Sequence, residues 1–175
     1  MRRIIPQFSR RCRAPQSSEG RLLVFVKACS GYNPGMPPYR FYHPIEVRYG
    51  DLDPQGHLNN AKYLTYLEQA RIHYIKHLGL WDGGSFLKIG IILADAHITF
   101  RAAVQFAQPV RVGVRVARLG NKSLEMEYCM EDVQTGQELA TGSTVLVAYE
   151  YQTGETIPIP ETWRKVIREF EGLPA

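Results

Sequence analysis

A single long helical segment, set among segments that all predict strands, most limits how this chain can fold. Asn59 and Asn60 are good helix N-cap residues, and Gly79 is typical of the position just past a helix end. Between them, apolar side chains recur at helical spacing and form one stripe, which consists of Tyr63, Leu64, Leu67, Tyr74, Ile75 and Leu78. A helix with one such face must bury it against another layer of the same protein.

The other regular segments supply that layer. Alternating or β-branched apolar residues predict strands over residues 41–49, 89–100, 110–116, 124–131 and 139–149. Short turns at 120–121 and 134–136 join the last three strands as hairpins, which makes them antiparallel. The sequence therefore predicts an α+β domain in which a curved antiparallel sheet is wrapped around one long helix, with a short helix over 162–170. Such a sheet has open edges, and we expect a homodimer or homotetramer.

Charge is distributed unevenly along the chain. Residues 1–35 carry a net charge of +6, whereas residues 36–175, the expected single domain, carry −2. We expect the basic extension to lie outside the fold, as disordered chain, as a transit peptide, or as a stretch upstream of a true start at Met36. Nucleic-acid binding needs a basic face on the folded part, and the mild acidity of residues 36–175 argues against it.

The cysteines and apolar runs exclude several other classes of protein. Cys12, Cys29 and Cys129 are odd in number and form no CxxC motif, so we expect neither a disulfide framework nor a cysteine zinc site. A reducing cytoplasm is the simplest setting. No apolar run approaches the roughly 18 residues that a membrane-spanning helix needs. We expect no metal and no organic cofactor.

The loop before the helix concentrates the residues with chemical potential. It contains Asp51, Asp53 and His57 and leads directly into the helix start at Asn59. Amides at a helix N-terminus are unpaired and carry partial positive charge, so they can hold an oxyanion, while a nearby carboxylate can attack a carbonyl or activate water. The residues alone leave two interpretations open. One is an acyl-transfer site, and the other is a turn shaped by the two aspartates beside a capped helix.

The same stretch resembles a known family. Residues 51–56 (DLDPQG), followed by Asn60 and Tyr63, are similar to the signature of the 4-hydroxybenzoyl-CoA thioesterase family, whose members have the hotdog fold. The similarity covers about residues 40–150. Together with His57, the motif also resembles the plant acyl-ACP thioesterases. The resemblance implies hydrolysis of a fatty or aromatic acyl-CoA thioester, with acyl-ACP as the alternative substrate and a non-catalytic acyl-CoA-binding protein as an alternative of another class.

The resemblance also implies roles for individual residues. Asp53 would be the nucleophile or general base, and the amides around Asn59 and Asn60 would polarise the thioester carbonyl. His57 matches a catalytic position of the plant enzymes, where it could orient water or Asp53, but it could equally be a hydrogen-bonding loop residue. A basic turn would contact the coenzyme A phosphates. The residues implied in substrate binding are Gly56, Tyr63, Arg118, Lys122 and Ser123.

Three other residues of the helix offer rival sites. Glu68 could be the catalytic carboxylate, as in other hotdog thioesterases, or the partner of His57 in a dehydratase. We expect it instead to pair with Arg71, because a charge in the apolar stripe needs a partner. His73 and His77 have the spacing of a helical metal site, but no HExxH glutamate lies between them, and we expect a solvated face.

Overall fold

A computed structural model of the chain describes residues 39–85, 87 and 90–174, so the extension predicted over residues 1–35 lies outside the described part. The elements follow in the order β1 (Phe41–Ile45), α1 (Asn60–His77), β2 (Ile91–Phe100), β3 (Val110–Leu119), β4 (Ser123–Asp132), β5 (Glu138–Glu150), β6 (Glu155–Thr156) and α2 (Glu161–Glu171).

The strands form one curved antiparallel sheet in the order β1-β3-β4-β5-β2, with β6 added to β5. Hairpins join β3 to β4 and β4 to β5, as the turns at 120–121 and 134–136 predicted. Helix α1 packs against β1 and β3. The predicted α+β arrangement of a sheet around one long helix, the hotdog fold, is confirmed.

The core lies between α1 and the sheet because the strands alternate between two environments. The valines at 110, 112, 114 and 116 are buried together with Tyr66, Leu67 and Ala70 of α1. The intervening Arg111 and Arg115 lie on the opposite face of the sheet, where they pair with glutamates of β4. Helix and sheet approach closely at Gly142, where an added Cβ would lie 2.9 Å from Leu67 Cδ1.

Two details of the predicted elements are wrong. The first strand was expected to reach Tyr49 but ends at Ile45, because Ile45 stands opposite Val110, the first residue of β3, with which β1 pairs. Residues Tyr49–Asp51 form a single turn of 3-10 helix instead. Leu64 was placed in the buried stripe but is 45% exposed. The buried face of α1 is rotated toward Tyr66 and Ala70.

Strand β2 is an edge of the sheet and is largely uncovered in the single chain. Residues 93–97 are all exposed. Leu93 and Phe100, two of its apolar side chains, are 49% and 53% exposed. Within the described residues, no helix is long and apolar enough to cross a membrane.

Candidate active site

The loop between β1 and α1 is folded tightly by its own backbone. The Asp53 N–H donates to the His57 carbonyl at 2.8 Å, and the Gly56 N–H donates to the Asp53 carbonyl at 3.0 Å. Gly56 has a φ of +80°, which a residue without Cβ adopts at little cost. The Leu58 N–H donates to the Val104 carbonyl at 2.8 Å, which ties the loop to the segment between β2 and β3. The loop thus holds Asp53 in a fixed position just before α1.

The two carboxylate oxygens of Asp53 have different surroundings. Oδ1 accepts the N–H groups of Gln55 at 2.8 Å and His57 at 3.1 Å, so this oxygen shapes the turn. Oδ2 has no hydrogen-bond partner among the residues that the structure describes. The turn interpretation is therefore correct for one oxygen, while the other stays available for chemistry.

An open cleft of about 580 Å³ lies at the N-terminus of α1. Four of the predicted site residues line it, namely Asp53, Asn59, Asn60 and Tyr63. Phe100 and Arg101, at the end of β2, form part of the opposite wall. The cleft therefore brings a carboxylate and a helix N-terminus to one place, as acyl transfer requires.

The amides at the start of α1 are not equally available. The Asn59 N–H donates to the Asp51 carbonyl at 2.9 Å, and the Ala61 N–H donates to the Asn59 side chain at 3.0 Å. No partner for the Asn60 N–H occurs among the described residues. Asn59 is thus the N-cap, as predicted, and Asn60 is the residue of this turn with a backbone donor left for a ligand.

Tyr63 places a hydroxyl group beside Asp53. The residue is buried, and its ring meets Phe100 edge to face at a centroid distance of 4.8 Å. Burial, and then the charge of Asp53, raise the pKa of the Tyr63 hydroxyl, which therefore stays protonated. This hydroxyl has no hydrogen-bond partner in the described part of the chain, so it can donate to a ligand.

Asp51 stabilises the loop through ion pairs and a backbone hydrogen bond. Its carboxylate is buried and lies 2.9 Å from Arg48 Nε and 3.2 Å from Lys62 Nζ. The hydrogen bond from Arg48 is the main reason why the pKa of Asp51 falls to about 2. Because its backbone carbonyl also receives the Asn59 N–H, Asp51 joins the loop to the start of α1.

His57 contributes its backbone to the turn, but its ring is not among the groups that line the cleft. Gly56 likewise shapes the turn and does not line the cleft.

The predicted phosphate contacts lie at the other end of the sheet. Ser123 stands opposite Val147 of β5, whereas Phe100 in the cleft wall stands opposite Ala140. These positions on β5 are seven residues apart, which is roughly 23 Å along a strand. Arg118 pairs with Glu125 at 3.2 Å, and the Lys122 ammonium donates to the Thr156 carbonyl at 2.6 Å.

The rival residues of α1 lie outside the cleft. Glu68 Oε1 is 3.5 Å from Arg71 Nη2, and the side chains are 65% and 8% exposed, so the expected pair is present with Arg71 buried. His73 and His77 are exposed as predicted, although the His73 ring stacks on His43 at 3.9 Å. Among the described residues, no three His, Cys, Asp or Glu side chains form a group that could hold a metal ion.

Comparison with known proteins identifies the family. A family model described as the Thioesterase-like superfamily matches residues 47–167, most of the chain and all of the cleft. The chain belongs to this superfamily. It is therefore an enzyme that hydrolyses thioesters.

Relatives of this thioesterase include characterised and structurally solved proteins. A Thermus thermophilus thioesterase, solved with coenzyme A and zinc, is 34% identical, with a TM-score of 0.70 over 79% of this chain and 100% of that one. The long-chain acyl-CoA thioesterase FadM of Escherichia coli is 22% identical over 72% of this chain and 96% of its own. YsmA, an uncharacterised protein of Bacillus subtilis, is 25% identical over 68% of this chain and 79% of its own.

Among the described residues that line the cleft of this thioesterase, one is a cation, Arg101, which the sequence analysis did not predict as a site residue. Arg101 directly follows β2, and its backbone N–H donates to the Leu139 carbonyl at 2.9 Å. Its Nε lies 3.3 Å from Glu138 Oε1. A lone arginine after a strand carries no sequence signal. Only the sheet register and the position of α1 bring it to the cleft.

Proposed function

We propose that the enzyme hydrolyses acyl-CoA thioesters in the cleft at the N-terminus of α1. The observation that carries this proposal is that Asp53 and Asn60 line one cleft, while Asp53 Oδ2 and the Asn60 N–H have no partner among the described residues. A coenzyme A-bound relative and an acyl-CoA thioesterase relative support acyl-CoA as the substrate class.

Two routes fit this arrangement. In one, Asp53 Oδ2 attacks the thioester carbonyl carbon, the carbon–sulfur bond breaks, and water hydrolyses the resulting mixed anhydride. In the other, Oδ2 takes a proton from a water molecule that attacks the same carbon. Both routes place negative charge on the carbonyl oxygen, which the Asn60 N–H can stabilise. The expected thiol product is released after protonation.

Tyr63 and Phe100 complete the proposed site. The Tyr63 hydroxyl can donate a hydrogen bond to the substrate or to the attacking water. Phe100 offers an apolar, half-exposed ring against which an acyl group can pack. For His57 we propose only a loop role, because its backbone groups hold Asp53 and its ring does not line the cleft.

We further propose that two copies associate through β2. Exposed edge strands favour pairing, and apolar side chains on β2 are uncovered. Antiparallel pairing of two β2 strands places the N-terminal end of one beside Phe100 of the other. Lys122, next to β4, would then lie three strand spacings from the cleft of the second copy, roughly 14 Å, and Arg118 on β3 would lie four spacings away, roughly 19 Å. In this arrangement, their predicted contact with coenzyme A phosphates would be made across the dimer.

Release of free thiol tests the function. The full-length protein would be offered fatty and aromatic acyl-CoA thioesters, the same acyl groups on acyl carrier protein, and a β-hydroxyacyl-CoA whose dehydration is followed separately. We expect acyl-CoA hydrolysis that saturates with substrate. A marked preference for acyl carrier protein would transfer the proposal to that carrier, and binding of acyl-CoA without thiol release would reject hydrolysis as the function.

A further inference from the structure

We propose that Arg101 forms an anion subsite inside the cleft and contacts a negatively charged group of the substrate. The inference rests on the proposed function, because it assigns a ligand to a wall of the same cleft. The negatively charged group is a phosphate of the carrier or an ionised carboxylate on the acyl part, and these two sources share the chemistry that an arginine recognises.

Arg101 lies in the same cleft as the candidate catalytic residues. Arg101 lines the cleft that also contains Asp53, Asn60 and Tyr63, and it is the only cation among the described residues that line it. The backbone is held by the bond from the Arg101 N–H to the Leu139 carbonyl, so the side chain projects from a rigid point at the end of β2. A substrate whose carbonyl meets Asp53 therefore lies in a cleft that Arg101 also lines.

The structural explanation for Arg101 is weak. Its ion pair with Glu138 joins two side chains that are 43% and 46% exposed, at 3.3 Å. Pairs of this exposure contribute little to folding because water screens them and both side chains lose conformational freedom. The contact of this pair is between Nε and Glu138 Oε1, and neither Nη group donates a hydrogen bond to a residue that the structure describes. Those groups form the fork that binds a carboxylate or phosphate with two hydrogen bonds.

Three thioesters that differ in where they carry negative charge distinguish a carrier phosphate from an acyl carboxylate. The first is an acyl-CoA with an uncharged acyl group, so its only negative charges are the phosphates of coenzyme A. The second is the N-acetylcysteamine thioester of the same acyl group, which carries no anion. The third is an N-acetylcysteamine thioester with a terminal carboxylate. We expect Arg101→Gln to lower kcat/KM at least about tenfold on the first or the third thioester and to leave the second nearly unchanged.

Matched variants control for structural effects. Arg111→Gln removes a comparable arginine, whose side chain is 41% exposed and paired with Glu131 on the face of the sheet opposite α1. It should leave all three thioesters unaffected. Arg101→Lys keeps the charge without the fork and should retain part of the activity. Glu138→Gln removes the competing carboxylate and should not weaken activity on the charged thioesters.

Equilibrium binding gives a readout that does not depend on hydrolysis. Calorimetric titration of coenzyme A and of a free dicarboxylic acid into wild type and Arg101→Gln should show at least about tenfold weaker binding of one of them in the variant. Equal loss of kcat/KM on the neutral N-acetylcysteamine thioester would overturn the proposal, as would unchanged kinetics and binding with every ligand. Failure of the proposed function is distinguishable, because the wild type would then release no thiol from any thioester.

Discussion

The Tyr66 hydroxyl donates a 2.8 Å hydrogen bond to the buried Asp51 carboxylate and thereby joins the second turn of α1 to the loop that carries the candidate nucleophile. Burial, followed by this hydrogen bond to a negatively charged group, raises the pKa of Tyr66, so the phenol remains a donor. Asp51 and Asp53 are two residues apart, yet Asp51 is buried and fixes the position of the loop, whereas Asp53 lines the cleft.

Asp51→Asn should destabilise the fold and reduce activity only partly. The amide can still accept from Tyr66, but it loses the charge that Arg48 and Lys62 contact. For a buried group with charged partners, we expect a loss of about 1–3 kcal/mol in the free energy of unfolding. Urea denaturation measures this loss. Arg48→Gln, which removes only one exposed partner, should have a smaller effect, and an equal effect would show that Arg48 accounts for the whole contribution of the Asp51 charge, against a role for Lys62.

Acid should weaken the wild type through Asp51. Its pKa in the folded protein is about 2, whereas an unfolded aspartate titrates near about 3.9. The stabilisation from its ionised form is complete above the unfolded value and is lost as pH falls through the folded value. Between about pH 4 and about pH 2, the free energy of unfolding of wild type should therefore fall more steeply than that of Asp51→Asn. Parallel pH curves for the two proteins, measured by urea denaturation, would contradict this assignment.

Asp53→Asn should remove most activity and leave the fold intact. The retained Oδ1 can still accept from Gln55 and His57, whereas the amide nitrogen that replaces Oδ2 is neither a nucleophile nor a base. We expect kcat to fall by at least about 10²-fold with little change in melting temperature. The comparison is Glu68→Gln, which alters an exposed carboxylate outside the cleft. A folded, inactive Glu68→Gln protein beside an active Asp53→Asn protein would reverse the two roles.

Arg118→Glu should raise KM for acyl-CoA and leave kcat nearly unchanged, because a remote phosphate contact supplies binding in ground and transition states alike. The effect should shrink at high salt. Lys122→Glu is expected to act similarly, but it also removes the hydrogen bonds to Thr156, so its melting temperature must be measured beside its KM. An acyl-pantetheine that lacks the phosphates is the control, and an equal change on that substrate would contradict a phosphate contact.

Local features were the ones that the sequence predicted well. The Asn59 cap at the helix start and Gly79 just past the helix end depend on residues within a few positions of each other, and each was found where the pattern placed it. The Asn59 amide was proposed as an oxyanion donor together with Asn60. The Asn59 N–H instead donates to the Asp51 carbonyl, and a hydrogen bond between two backbone groups cannot be predicted from the residue types.

Features that depend on the sheet were less accessible. The early end of β1 follows from where β3 begins, and the exposure of Leu64 follows from how α1 is rotated over the sheet. Arg101 is the clearest case. It comes at the end of an edge strand and reaches the cleft only because β2 lies beside β5 and α1 begins above that end.

Asp53 Oδ1 holds the turn and Oδ2 is left for chemistry, and this difference has a consequence for turnover. Because Gln55 and His57 restrain Oδ1, the carboxylate cannot rotate freely, and an arriving substrate meets the same oxygen on each occasion. The entropy of aiming the reactive atom is thus lost once, when the loop folds, rather than in every catalytic cycle. Loss of the Gln55 backbone N–H, or a Cβ at Gly56 that strains its positive φ, would loosen this turn and slow the reaction without removing a reactive group.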